Sequence, residues 1–574
     1  MDNAALARAL DEVASLLELR GDNPFRVRAY RNAAATVLDA GERVASLPAD
    51  RLLALPGIGR DLAARIRELA DTGDLALRRE LAAEFPESLL DLLKLQGLGP
   101  KTVALLHREL GIATLDDLEA AAHAGRLRTI KGLGAKREQL LLRAIEEQRR
   151  FAGRHLLADA HEAAGAIVTW LREGCPGAVV DIVGSLRRGT ETCGDIDLLV
   201  TSAPAAVMDR FTVAPGVERV LARGDTKASV RLAGGLQADL RLVAPESRGA
   251  AMQYFTGSKL HNIELRDRAL ARGLRLNEYG LFRLADEARV AGDTEEAIYE
   301  RLGLPWIPPE LRERRGEFEA AEARALPRLV SREDLLGDVH MHTTATDGRD
   351  SIEAMVAAAR ALGHRYLAIT DHSQALAMAR GLDERRALAH AARIRDIGAR
   401  FDDITVLAGI ECDIRPDGTM DLADDCLAQL DLVIASVHSA FQQDEAQMTD
   451  RVLRALANPW VDVLGHPTGR LLLRRPPSRL DIERIIDAAA THGVALEINC
   501  QVERLDLGDA HARLARDRGV PLVISTDAHA TASLAWLRWG VLVARRAWLT
   551  PADVLNTRPV EDFRQALRRH RSRR

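Results

Sequence analysis

Seven short apolar runs, spaced along residues 335–574 and separated by stretches of helical periodicity, restrict the fold of this chain more than any other feature. They read DVHMH, YLAITDH, VLAGIE, LVIASVH, VDVLGH, ALEIN and LVISTDAH. Such runs alternating with helices predict parallel strands in a βα barrel. Their ends deliver His340 and His342, His372, Glu411, His438, His466, and Asp527 with His529, while Asp347 follows the first run in the loop TTATDG. In a parallel barrel the carboxyl ends of the strands converge on one mouth, so these groups meet there. Imidazole and carboxylate suit Zn²⁺, Mn²⁺ or Fe²⁺, and nine ligands exceed what one ion needs, which predicts a multinuclear cluster. His364, His390, His492 and His511 fall outside this pattern and read as structural.

A second constellation is DIVGSLRRGTETCGDIDLLV, residues 181–200. An apolar run enters a turn at Gly184 and Ser185, passes Arg187 and Arg188, and leaves along a strand carrying Asp195 and Asp197. Alternation on a strand puts both carboxylates on one face, where their repulsion calls for divalent cations. The upstream backbone donors and guanidiniums form a candidate phosphate cradle. A further strand, LQADLRLVA (236–244), places Asp239 so that it can complete a three-carboxylate site. Together these features predict nucleotidyl transfer.

Residues 1–80 read as a small helical domain, with Arg26, Arg28 and Arg31 on one helix. Three segments then share an apolar-x-Gly-apolar-Gly pattern before a helix: LPGIGRDLAARI, LQGLGPKTVALL and IKGLGAKREQLL. Their glycine pairs, Gly57/Gly59, Gly97/Gly99 and Gly132/Gly134, permit tight turns that expose N–H groups at a helix start, where an anion is favoured. This resembles the helix-hairpin-helix motif, which grips DNA phosphates without reading bases. The formal net charge of −5 does not advertise a nucleic-acid binder, but local patches rather than totals carry phosphate contacts. No apolar run approaches the roughly 20 residues that span a bilayer. Five scattered cysteines and an amphipathic, charged N-terminus predict a cytoplasmic protein with no membrane partner, and a DNA-gripping one is expected at the nucleoid.

GSLRRG…GDIDLLV, ADLRLV and YFTGS, behind the glycine-paired repeats, resemble the family X DNA polymerases, the group of DNA polymerase beta, over about residues 1–312. The resemblance implies that Asp195, Asp197 and Asp239 hold two Mg²⁺ or Mn²⁺ ions, one for the primer 3′-hydroxyl and one for the triphosphate. It also implies contacts to the incoming dNTP from Gly184, Ser185, Arg188 and Arg154, from Tyr254, Phe255 and Gly257 at the sugar, and from Asn262 at the base. Two positions depart from the beta-type pattern. Arg65 stands where those enzymes carry the Schiff-base lysine, and a guanidinium cannot be that nucleophile. Lys259 replaces an acidic residue beside the nucleotide, as in the bacterial branch, and is expected to strengthen nucleotide binding.

Residues 335–574 resemble the PHP (polymerase and histidinol phosphatase) domain at all nine ligand positions. That resemblance implies three ions: one on His340, His342, Glu411 and Asp527, a second on Glu411, His438 and His466, a third on Asp347, His372 and His529. Asp371 and Asn499 are expected to orient ligands. The expected architecture is multidomain, α+β and α/β. It comprises a helical DNA-binding domain (1–80), helix-hairpin-helix fingers (81–150), a nucleotidyltransferase palm (151–245) and a thumb (246–312). A linker (313–334) leads to a seven-stranded, distorted TIM-like PHP barrel (335–574). The expected function is short-gap filling on gapped or nicked DNA, with a PHP 3′–5′ exonuclease whose chemistry also suits abasic-site cleavage and 3′-phosphate removal. The alternative is a PHP phosphoesterase for which the polymerase half positions DNA. A monomer is the default expectation.

Overall fold

The computed structural model describes residues 3–40, 44–86, 88–93, 95, 98–130, 132–151, 153–204 and 206–567. Two compact units emerge, 1–152 and 153–574.

The first unit is helical. Helix Asn3–Arg20 repeats Leu6, Leu10, Val13 and Leu17 at helical spacing, and all four are fully buried. Pro24 sits at the start of helix Pro24–Asp39, whose cap, Asn23, accepts from the Phe25 N–H. Arg26 and Arg31 on this helix are paired with Asp22 and Glu18, while Arg28 lies 5.1 Å over the Phe25 ring.

In the second unit the palm sheet comprises β1 (Val179–Ile182), β2 (Asp195–Thr201), β3 (Val217–Arg223), β4 (Lys227–Leu232) and β5 (Gln237–Leu242), in the order β1-β2-β5-β4-β3. Helix Leu157–Gly174 buries Leu157, Ala160, Ala164, Ile167 and Leu171 in the palm core. β2 and β5 run parallel in a register that sets Asp197 beside Asp239. The thumb follows, with helices Arg248–Thr256 and Lys259–Leu270 and a three-stranded antiparallel sheet. Residues 313–334, expected to be a linker, carry helix Glu317–Glu322 and bury Phe318 and Leu329 in the thumb core.

The barrel consists of β6 (Gly337–Asp338), β7 (Tyr366–Ile369), β8 (Thr405–Asp413), β9 (Leu432–Ser436), β10 (Val463–Leu464), β11 (Ala495–Asn499) and β12 (Leu522–Ser525). All neighbours are parallel and follow chain order, and a bridge between Met341 and Ala528 brings the first and last strands together. One hydrophobic core runs from the palm into the barrel. Polar contacts tie the two together as well. Arg470 donates to Glu191 at 2.6 Å, and Arg546 donates to the Arg188 carbonyl and to Glu313.

Candidate active sites

The palm site is built on two adjacent strands. Asp195 and Asp197 share a face of β2, and Asp239 faces Asp197 from β5. Burial, and then the charges of Asp195 and Asp239, push Asp197 up to about 6, while burial and Asp239 also raise Asp195. Carboxylates that drive one another toward the protonated form are a site that cations stabilise. Lys227 Nζ lies 3.8 Å from Asp239 Oδ2, and Gln237 donates to its other oxygen. Gly184, with φ +69°, opens the short helix Gly184–Arg187 that also holds Ser185. A Cβ at Gly184 would sit 2.4 Å from Asp197 Oδ2, so only glycine allows this close approach.

The remaining nucleotide-site candidates divide into braced and free groups. Arg188 donates to Glu313 at 2.9 Å and to the Thr256 carbonyl at 2.8 Å, which joins the cradle to the YFTGS segment. Arg187 donates to Thr256 Oγ1 and grips both oxygens of Glu295. Arg154 is exposed and donates to the side chain and carbonyl of Thr192. Tyr254 and Phe255 meet edge to face at 5.1 Å, and Arg241 lies 4.6 Å over the Phe255 ring. Asn262 donates to the carbonyls of Tyr254 and Gly257 and accepts from Gln253, so its amide braces this turn. A Cβ on Gly257 would strike Asn262 Oδ1 at 2.4 Å. Lys259 stands exposed at the first turn of its helix.

At the barrel mouth the structure gathers all nine sequence-predicted ligands. Glu411 is central: its oxygens lie 3.5 Å from His340 Nε2, 3.6 Å from His342 Nε2, 2.9 Å from His372 Nδ1, 3.3 Å from His438 Nε2 and 2.9 Å from His466 Nε2. Asp527 Oδ1 is 3.1 Å from His342 Nε2, and Asp347 Oδ2 is 3.4 Å from His372 Nε2 and 3.5 Å from His529 Nε2. Three groups have ligand atoms close enough to hold an ion: His340, His342 and Asp527; His372, Glu411 and His438; and His342, Asp347, His372 and His529. His466 joins the second group through Glu411. Asp347 and His529 are the most exposed members and mark the open side.

The donor chemistry fits divalent cations. His340 Nε2, His342 Nδ1 and Glu411 Oε2 are buried without a hydrogen-bond partner among the described residues. Leaving such atoms unsatisfied costs roughly 1–3 kcal/mol each, a cost that coordination removes. Burial favours neutral imidazole, yet Glu411 and Asp347 push His372 up to about 10, and Glu411 and Asp413 push His438 up to about 9. The carboxylates thus draw positive charge into the mouth.

Around the ligands lies a buried carboxylate shell, part of which the sequence reading missed. Glu497 on β11 accepts from His340 Nδ1 at 2.7 Å and from the His466 N–H at 2.6 Å, which turns His340 Nε2 toward the cluster. Its signal in sequence is a carboxylate inside the apolar run ALEIN, on the face that Asn499 shares. Asn499 donates to Asp527, and Asp413 accepts from His438. Asp371 accepts from Thr343, Thr346 and His390, so it holds the loop between His342 and Asp347, and His390, read as structural, is its partner.

The N-terminal hairpins present their glycines openly. Gly57 and Gly132 have left-handed φ of +75° and +92°, Gly59 and Gly99 precede helices Arg60–Thr72 and Pro100–Leu110, and Gly134 precedes Ala135–Phe151. Apart from the chain neighbours, no atom of the described residues lies within 4 Å of a Cβ built on any of these five, so the helix starts are sterically accessible. Gly97 lies outside the described residues.

Fold and sites define a class: a nucleotidyltransferase-like palm with helix-hairpin-helix elements, joined to a parallel barrel whose mouth gathers side chains that could hold metal ions. Family profiles agree, with DNA polymerase beta palm at 158–233, DNA polymerase beta thumb at 251–313 and PHP domain at 338–501. A helix-hairpin-helix domain matches 1–75, and a SAM-like helix-hairpin-helix tandem 89–147. The DNA polymerase/3'-5' exonuclease PolX of Bacillus subtilis (strain 168) is 39% identical over 573 residues, covering 99% of this chain and 100% of that protein. A probable phosphatase of Shewanella sp. (strain MR-4) is 34% identical over 207 residues, 34% of this chain and 77% of its own length. The chain belongs to the family X DNA polymerases that carry a C-terminal PHP domain.

Proposed function

We propose that this chain is a DNA repair polymerase that fills short gaps by template-directed dNTP addition and trims 3′ ends with its barrel. The observation that carries the reading is the coexistence in one chain of three carboxylates gathered on adjacent palm strands and nine His, Asp and Glu side chains gathered at the barrel mouth. In the palm, Asp195, Asp197 and Asp239 would hold two Mg²⁺ or Mn²⁺ ions, which supply charge neutralisation for phosphoryl transfer. Gly184 and Ser185 offer backbone donors to the triphosphate, and Arg188 and Arg154 offer guanidiniums once they exchange their present partners. Tyr254, Phe255 and Gly257 form the wall for the sugar, with Asn262 holding that wall in place. Lys259 adds an exposed positive charge beside it.

In the barrel the nine ligands would hold three divalent ions, Mn²⁺, Zn²⁺ or Fe²⁺, whose charge suits hydrolysis of a phosphodiester. Glu497, Asp413 and Asn499 keep the ligating atoms aimed inward. The same chemistry extends to abasic-site cleavage and 3′-phosphate removal. The glycine hairpins of the first unit grip gapped or nicked DNA by its phosphates. The subdivision into helical, fingers, palm, thumb and barrel domains, a cytoplasmic, nucleoid-associated location and a monomeric state belong to the same reading. Arg65, paired with Glu68 and Asp61, supplies no amine for lyase chemistry. The test is incorporation opposite each template base in a one-nucleotide gap with Mg²⁺. Only the complementary dNTP should be added, and Asp239→Asn should abolish addition. Untemplated or Asp239-independent addition would overturn the reading.

A further inference from the structure

Two arginines stand at the barrel mouth outside the ligand set. Arg504 follows β11. Its Nε donates to Gln501 Oε1 at 3.0 Å and lies 4.0 Å from Asp527 Oδ2. Gln501 in turn donates to the Asp527 carbonyl at 3.1 Å, so the guanidinium is braced against the strand end that carries Asp527 and His529. Neither Nη atom of Arg504 has a hydrogen-bond partner among the described residues. Arg475 is anchored from two other ligand-bearing loops. It donates through Nε and Nη2 to the carbonyl of Gly469, three residues after His466, and lies 4.3 Å over the ring of Phe441, three residues after His438.

Charge pairing separates these two from their neighbours. Arg470 is paired with Glu191 at 2.6 Å and Arg474 with Glu503 at 3.3 Å. Among the described residues no carboxylate is paired with Arg475, and Arg504 has only the distant Asp527 oxygen. Asp506, the acid whose charge acts on Arg475, already accepts from the N–H and hydroxyl of Thr468 and from the N–H of Gly469. Burial, and then the charge of Arg504, lower Arg475 from the usual arginine range, while the charge of Asp506 raises it. Two guanidiniums whose acidic neighbours are the distant Asp527 oxygen and the already hydrogen-bonded Asp506 favour an anion between them. Their planar forks match phosphate oxygens, and stacking on Phe441 fixes the plane of Arg475.

We propose that Arg475 and Arg504 form the phosphate-binding wall of the barrel site, with Arg504 on the scissile phosphate beside Asp527 and Arg475 on the next phosphate of the same strand. The proposal rests on the reading of the barrel as a nuclease of 3′ ends.

The test compares Arg475→Ala, Arg504→Ala and both lysine variants on a 5′-labelled single strand with Mn²⁺ over a salt series. Arg475→Ala should raise KM about tenfold and reduce the salt slope of log kcat/KM by about 0.7, the value of one single-strand phosphate contact. Arg475→Lys should keep the slope. On p-nitrophenyl thymidine 5′-phosphate, which lacks the second phosphate, Arg475→Ala should match wild type while Arg504→Ala remains impaired. Primer extension should persist in every variant and shows that the chain is folded. Unchanged KM and salt slope in both alanine variants would overturn the proposal. Absence of strand shortening by the wild type would instead overturn the nuclease reading. In that case dTMP binding with Mn²⁺ in an Asp195→Ala background, measured by calorimetry, decides the wall: loss in Arg504→Ala sustains it, and unchanged affinity overturns it.

Discussion

Glu497→Gln is the smallest change that should uncouple the barrel cluster from its support. Glu497 is fully buried, and each of its oxygens serves two donors. Oε1 accepts from His340 Nδ1 and Ser525 Oγ, both at 2.7 Å; Oε2 accepts from the His466 N–H at 2.6 Å and Asn499 Nδ2 at 3.2 Å. Glutamine keeps one acceptor oxygen and replaces the other with an NH₂. Facing His340, that NH₂ would drive the proton from Nδ1 to Nε2 and remove the lone pair aimed at the cluster. Facing His466, it would meet two donors. Either way a buried donor loses its acceptor, at about 1–3 kcal/mol, and loss of such a support typically weakens metal binding by roughly 10–100-fold. Mn²⁺ titration of metal-stripped protein, followed by calorimetry and by 3′ trimming, should show that shift, with gap filling retained. A Mn²⁺ affinity within about twofold of wild type would refute the role assigned to Glu497.

Gly184→Ala combines a left-handed φ, about 1–2 kcal/mol of strain, with a Cβ at 2.4 Å from Asp197 Oδ2. Incorporation should fall about tenfold or more while trimming is unchanged, and wild-type incorporation kinetics would contradict this. Burial disfavours charge on Glu295, but Arg312 and Arg187 hold it down at about 2, below its ordinary 4.5. This contribution, on the order of 3 kcal/mol, should be present above pH 4.5 and vanish as pH falls toward 2. Glu295→Gln should lose that part of the acid-unfolding slope, and parallel pH profiles would reject the assignment. Lys259→Asp should weaken dNTP binding roughly threefold to tenfold in a direct Kd measurement, since it reverses an exposed charge, and an unchanged Kd would remove Lys259 from the site.

That nine His, Asp and Glu side chains meet at the barrel mouth was legible because each closes or follows an apolar run, and parallel strands bring their ends to one place whatever lies between them. Asp195 and Asp197 were legible through strand alternation, and Asp239 through its place on a second alternating strand that the register later set beside Asp197. Glu497 was not read out because a single acid within ALEIN looks like any strand residue until His340, 157 positions away, is seen to donate to it. The pairing of Arg188 with Glu313 likewise spans 125 positions, and no local pattern encodes it. Residues 313–334 carry Pro327 and many charges, which suggested a linker. Yet buried Phe318, and Glu317 accepting from His261, show how spaced apolar and acidic residues in a charged segment can pack. His390 sat on a helix without a motif, and only the fold set it against Asp371.

The most direct measurement uses a 5′-labelled primer on a one-nucleotide gap, with Mn²⁺, with and without dNTPs, for wild type, Asp195→Ala and His340→Ala. Asp195→Ala should lose extension but still shorten the primer, and His340→Ala should extend without shortening. A His340→Ala protein that still degrades the primer would contradict the assignment of the nuclease to the barrel.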